Sequence, residues 1–110
     1  VEIVYNPLIP IGHMERTMRR MHLHIFGRVQ GVYFRLSSQK KAVDLGLVGW
    51  VRNCADGHVE LVAEGDDSQL KILLQWCHDG PELANVVRID EIWETATEAL
   101  VGFDIRPTVR

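Results

Sequence analysis

Asp56-Gly57 is the tightest constraint in the chain, because this hairpin-turn signal makes the runs on either side pair as neighbours. Before it, Leu47 to Asn53 is rich in β-branched and aromatic residues. After it, His58 to Glu64 alternates, with Val59, Leu61 and Ala63 on one face and His58, Glu60 and Glu64 on the solvent face. Each arm of the hairpin is joined to a helical run. Upstream, residues 33 to 45 contain neither Gly nor Pro, and Phe34, Ser38, Ala42 and Leu45 share one side while Leu36 and Val43 fall opposite, before Gly46 stops the helix. Downstream, Asp66, Asp67 or Ser68 caps a helix reaching about His78, in which Leu70, Leu73, Leu74 and Cys77 recur at i, i+3, i+4 and i+7. Gly80-Pro81 ends it.

Three further strands complete the pattern, at residues 21 to 27, Val86 to Trp93 and Val101 to Ile105, with a polar loop at Thr95 to Leu100. The order is βαββαβ plus a terminal strand. Right-handed crossovers then interleave the strands, numbered along the chain, as 4-1-3-2 and put both helices on one face. The expected fold is a ferredoxin-like α/β sandwich, an α+β architecture whose antiparallel sheet gains a short fifth edge strand. Strands 1 and 3 are central, so the loop after the first strand and Asn53 at the end of the second share one end of the sheet.

Residues 1 to 20 read differently. Asn6-Pro7, Pro10 and Gly12 punctuate them too often for a packed element, and Gly12-His13-Met14 resembles the junction left by an expression tag. The expected division is an N-terminal extension at 1–20, with Arg16, Arg19 and Arg20 as a solvated linker face, and one domain at 21–110. Twelve Lys and Arg against fifteen Asp and Glu give a net charge of −3, which argues against a general nucleic-acid binder and makes any anion site local. No apolar run approaches the ~20 residues of a membrane span, and no secretory signal is visible. Cys54 and Cys77 lack metal-ligand spacing, so a reducing, cytoplasmic setting with free thiols is the default.

Gly27 to Arg35 follows the first strand and opens the first helix. Two glycines four residues apart allow a tight turn with uncovered backbone N–H groups, and the helix N-terminus adds unpaired donors and a positive dipole end. Arg35 in the first helical turn leans back over this loop, offering a planar charged fork to phosphate or carboxylate. A two-glycine loop, an arginine on a helix, or an asparagine beside a hairpin would each be unremarkable alone.

Taken together, Gly27-Arg28-Val29-Gln30-Gly31-Val32-Tyr33-Phe34-Arg35, Gly49-Trp50-Val51-Arg52-Asn53 and Asp56-Gly57-His58-Val59-Glu60 resemble the acylphosphatase family over about residues 21 to 107. The resemblance implies a metal-independent, cofactor-free hydrolase that converts an acyl phosphate into a carboxylate and inorganic phosphate. It implies a phosphate loop at Val29, Gln30, Gly31, Val32 and Tyr33, a phosphate-binding catalytic Arg35, and a water-orienting catalytic Asn53. Cys54 stands where some members have threonine, so hydroxyl support of Asn53 is not expected. A small-molecule substrate, a monomer, and no nucleic-acid or membrane partner complete the expectation.

Other chemistries fit less well. The loop lacks the Gly-Lys-Ser/Thr ending of a nucleotide-triphosphate loop, and neither cysteine precedes an arginine as a phosphatase nucleophile would. His22 and His24 share a strand face but have no third ligand nearby in sequence, so they read as surface residues, as do His58 and His78. Trp50, Trp76 and Trp93 read as packing anchors, and Arg28 and Arg52 as added positive potential near the loop or exposed strand residues. The competing function is a non-catalytic ferredoxin-like module binding RNA or a phosphorylated ligand, against which the strand His58 to Glu64 offers no aromatic platform.

Overall fold

The computed structural model describes residues 17–109, and over them the chain forms β1 (Met18–Arg28), α1 (Phe34–Asp44), β2 (Val48–Asn53), β3 (Val59–Asp66), α2 (Asp67–Asp79), β4 (Asn85–Thr95) and β5 (Phe103–Ile105). The extension expected at residues 1–20 falls largely outside the described residues. Hydrogen-bonded neighbours follow the order β4-β1-β3-β2-β5, with β1 antiparallel to both β3 and β4 and β2 antiparallel to β3. The expected 4-1-3-2 arrangement is therefore present. The fifth strand corrects one expectation, because β5 runs parallel to β2 through Gly49↔Phe103, Trp50↔Asp104 and Val51↔Ile105, making the sheet mixed. The reason is geometric: β4 ends where β1 begins, and a chain that crosses to the far edge at that end must leave in the direction of β1 and β2.

Period-two alternation divides the sheet into two faces. Met21, Leu23 and Ile25 of β1, Val59 and Leu61 of β3 and Val51 of β2 join Phe34 and Ala42 of α1 and Leu70, Leu73 and Cys77 of α2 in one core. The stripe read along α2 is thus the packing stripe, and Leu36 and Val43 of α1 are exposed as expected. Gly46 follows the C-cap Leu45 with a φ of 74°, while its N–H donates to Val43 and that of Leu47 to Ala42, the paired bonds of a Schellman motif. Asp66 caps α2 by accepting from the Ser68 N–H at 3.3 Å. No described helix is long and apolar enough to cross a membrane.

The other face differs from its sequence reading. Glu60 and Glu64, expected on the solvent side, are only 7% and 2% exposed. The loop after β4 folds over Glu64, whose carboxylate accepts from the backbone N–H and hydroxyl of Thr97, the N–H of Glu98 and Nη1 of Arg20 at 2.8–3.1 Å. Arg19 and Arg20 are not linker residues: β1 starts at Met18, and Arg19 also pairs with Asp67 at 3.2 Å. Gly27 sits where the β1–β4 register shifts, with a φ of 127° and a hypothetical Cβ only 2.2 Å from the Asn85 carbonyl oxygen, so a side chain would force the strands apart.

Burial pushes the Glu64 carboxyl upward, but the bonds from Thr97, Arg20 and Glu98 outweigh it and hold the group below the ordinary glutamate range. A depressed folded-state pKa stabilises the protein above the unfolded value and loses that contribution as pH falls through the folded value. Glu64→Gln, which turns an NH2 group on existing donors, should cost on the order of 3 kcal/mol at neutral pH. The gap between wild type and variant should narrow below about pH 4. Chemical denaturation at neutral and acidic pH measures both; a gap independent of pH would contradict the ionised, bonded carboxylate.

Candidate active site

Five residues, 29 to 33, connect β1 to α1. The side chains of Val29 and Val32 are anchored in the core, whereas Gly31 and Tyr33 are exposed. Both exposed residues are left-handed, Gly31 at φ 74° and Tyr33 at φ 66°. Glycine takes that conformation freely, while a tyrosine there costs roughly 1 kcal/mol, so the loop holds a bent backbone against local preference. Tyr33 is the N-cap of α1 and makes no side-chain capping bond, and no acidic residue lies in the first helical turn. The first amides of α1 and the positive end of its dipole consequently have no anionic side chain of their own helix beside them.

Arg35 is half-buried in that first turn and, together with Val29, Gly31, Tyr33, Phe34, Leu36 and Ile105, lines an open cleft of about 430 Å³. Among the described residues Arg35 has no carboxylate partner, whereas Arg19, Arg20, Arg52 and Arg88 each have one. Arg52 does not supplement the loop: its Nε bonds Glu60 at 2.7 Å on the opposite face of the sheet.

Asn53 ends β2 at the sheet end occupied by the loop, since β1 and β2 both run antiparallel to β3. Alternation puts its side chain on the helix-covered face with that of Val51. Its Oδ1 is buried and has no hydrogen-bond partner among the described residues. Asn53 is not among the residues that line the cleft with Arg35. Cys54 faces the other way, with Sγ 3.9 Å from a Glu60 oxygen, and burial and the Glu60 charge push the thiol up. A hydroxyl at position 54 would therefore meet Glu60 and not the side chain of Asn53.

The residue that sequence reasoning undervalued is Gln30. Its place in the loop suggested a backbone amide, yet its side-chain Nε2 donates to the carbonyls of Cys54 at 2.8 Å and His58 at 2.9 Å. This double bond to the β2–β3 turn ties the loop to the strand end carrying Asn53. The available signal was topological: a long amide side chain in the loop faces a hairpin turn brought to the same sheet end.

The acylphosphatase family model matches residues 21–105. The chain belongs to the acylphosphatase family. An acylphosphatase of Marinobacter nauticus is 52% identical over 87 residues, covering 79% of this chain and 95% of the relative. Among solved structures, the acylphosphatase from Bacillus subtilis superposes with a TM-score of 0.78 at 33% identity, covering 80% of this chain and 98% of that one. An acylphosphatase from Coxiella burnetii gives 0.75 at 38% identity, covering 84% and 99%. The activity of this acylphosphatase is hydrolysis of acyl phosphates, with small-molecule substrates and inorganic phosphate as product.

The Gln30 tie can be tested directly. Both carbonyls retain another bond, from the Gly57 N–H and the Cys54 N–H respectively, so Gln30→Ala should cost only about 1 kcal/mol of stability. Its larger effect should be local, with faster amide hydrogen exchange at Gly31, Val32 and Tyr33. Unchanged exchange there would show that the loop is held by other contacts.

Proposed function

We propose that this acylphosphatase binds the phosphoryl group of its substrate with Arg35 and the backbone amides of Val29, Gln30, Gly31, Val32 and Tyr33, and that Asn53 orients the attacking water. The observation that carries this reading is the half-buried Arg35 without a carboxylate partner in the cleft that also holds the left-handed loop. An acyl phosphate is an activated anhydride with a carboxylate leaving group, so it needs neither an enzyme nucleophile nor a metal. It needs positioning and charge stabilisation. Arg35 and the amides supply donors whose bonds strengthen as charge accumulates on the phosphoryl oxygens. The Asn53 amide, able to accept from and donate to a water, aims the water oxygen at phosphorus in line with the departing carboxylate. The phosphorus–oxygen bond to the acyl group breaks as the bond to water forms. A water proton passes to the phosphate itself, since asparagine is a poor base.

The two buried free thiols suit a cytoplasmic setting. The catalytic unit is the domain read at residues 21–110, with β1 reaching back to Met18.

Hydrolysis of a small acyl phosphate without added metal tests the assignments. Arg35→Gln and Asn53→Ala should each lose at least about 100-fold in rate. The asparagine variant should keep its affinity for inorganic phosphate as a competitive inhibitor, whereas the arginine variant should lose it. Near-native turnover in either variant removes that residue from the mechanism. No proposed group titrates near neutrality, so kcat/KM should be flat between about pH 5.5 and 7.5. A limb near pH 6.5 would bring a histidine into the chemistry.

A further inference from the structure

We propose that His22, His24 and Glu60 form a site for a borderline divalent cation, Zn²⁺ or a neighbouring first-row metal, on the sheet face opposite the helices. In sequence His22 and His24 lacked a third ligand. The fold supplies one from the neighbouring strand, because His24 stands directly across from Glu60 in the β1–β3 register. One donor atom from each of His22, His24 and Glu60 lies within 4.8 Å of the others. His58, just before β3, stands behind His24, with its Nε2 2.9 Å from Nδ1 of His24. Two imidazoles and one carboxylate, with a fourth position left to water, are ligand types of zinc sites and suit late first-row ions better than the hard cations Mg²⁺ and Ca²⁺.

The partners behind these ligands are already oriented. Asp56 accepts from Nδ1 of His58, which fixes the tautomer and leaves Nε2 of His58 to accept from Nδ1 of His24. A hydrogen-bond partner on the second ring nitrogen, here His58 for His24, commonly supports a metal-bound imidazole. Arg52 holds one oxygen of Glu60 at 2.7 Å, and the other oxygen faces Nε2 of His22 at 2.7 Å. The side chains of His22, His58 and Glu60 are 24%, 14% and 10% exposed, so the cluster is shielded yet open to an ion from solvent. Donors around a tetrahedral zinc ion stand roughly 3.4 Å apart, so the hydrogen-bonded His22–Glu60 pair must open by roughly 0.7 Å and the widest spacing among the three donors close by up to about 1.4 Å.

The site is separate from the hydrolytic one. Arg52 and Cys54 share its face, whereas Asn53 between them points to the helices. The two are nonetheless neighbours, because the backbone carbonyl of His58 accepts from Gln30. A bound cation would brace β1 against the hairpin beside the loop, and its effect would be on stability.

Titration of the chelator-stripped full chain with ZnCl2 in a calorimeter should give one equivalent with a Kd on the order of 10 µM or tighter. At a hundredfold excess over Kd the melting temperature should rise by about 10 °C. His22→Gln and Glu60→Gln should each weaken binding at least about 10-fold while retaining metal-free hydrolysis, which shows that they fold. If Glu60→Gln does not fold, His24→Gln takes its place. Co²⁺ should develop the intense visible bands of a tetrahedral site in the wild type and lose them in His22→Gln. Absence of saturable binding to the wild type overturns the proposal. So does binding that survives His22→Gln, or binding that disappears in His13→Gln, which would assign the ion to the N-terminal extension.

Discussion

The pairing of β1 with β3 sets the reference frame for every functional group in this protein. Eight residue pairs, from Met18↔Asp66 to Ile25↔Val59, hold one register. Because side chains alternate, that register sends Met21, Leu23 and Ile25 into the helix-covered core and Arg20, His22 and His24 onto the opposite face. A shift of one residue would exchange the two sets. The same pairing fixes strand direction: with β2 also antiparallel to β3, β1 and β2 finish at the same end. The loop after β1 and the last residue of β2 meet there as a consequence of strand order.

A shared sheet end does not by itself make a rigid site. The loop from Val29 to Tyr33 is held from two sides. Val29 and Val32 are anchored in the core below it, and the Gln30 amide is bonded to two carbonyls of the hairpin beside it. Between those anchors the chain carries left-handed Gly31 and left-handed Tyr33. The tyrosine conformation is locally unfavourable, and the core contacts and the Gln30 bonds offset it. The result is a preformed concavity at the mouth of α1, with Arg35 in the same cleft.

The chain order, the hairpin, both helices and the core stripe were legible because they rest on local signals: the Asp56-Gly57 turn signal, periods of 2 and 3.6, and Gly, Pro or Asp at the boundaries. Arg35 and Asn53 were legible as candidates through the resemblance of their motifs to the acylphosphatase family, since neither residue stands out alone. What escaped depended on partners remote in sequence. Alternation assigned Glu60 and Glu64 to a face but could not reveal that Arg52, His22 and the Thr97–Glu98 loop cover them. Arg19 and Arg20 looked like linker because Asp67 and Glu64 lie far along the chain. The direction of β5 required knowing where β4 ends, and the role of Gln30 required knowing which turn lies beside it.

Glu60 and Glu64 explain why a central strand can carry two acids. Ionised carboxylates in a sheet interior are costly to desolvate, and their ion pairs recover that cost only with good geometry. Here each has several donors: Arg52 and His22 hold Glu60 below its usual range despite burial, and a cage of backbone and side-chain donors does the same for Glu64. Their larger contribution is to what they forbid. In a register slipped by one residue both carboxylates would enter the apolar layer beside Leu23, Leu70 and Leu73, leaving behind Arg20 and Arg52 without partners. Leu61 and Ala63 would move out to the polar face. An all-apolar strand would tolerate such a slip far better. The buried acids thus stabilise one alignment of β1 with β3 by making its nearest competitor expensive, and that alignment is what brings the loop to Asn53.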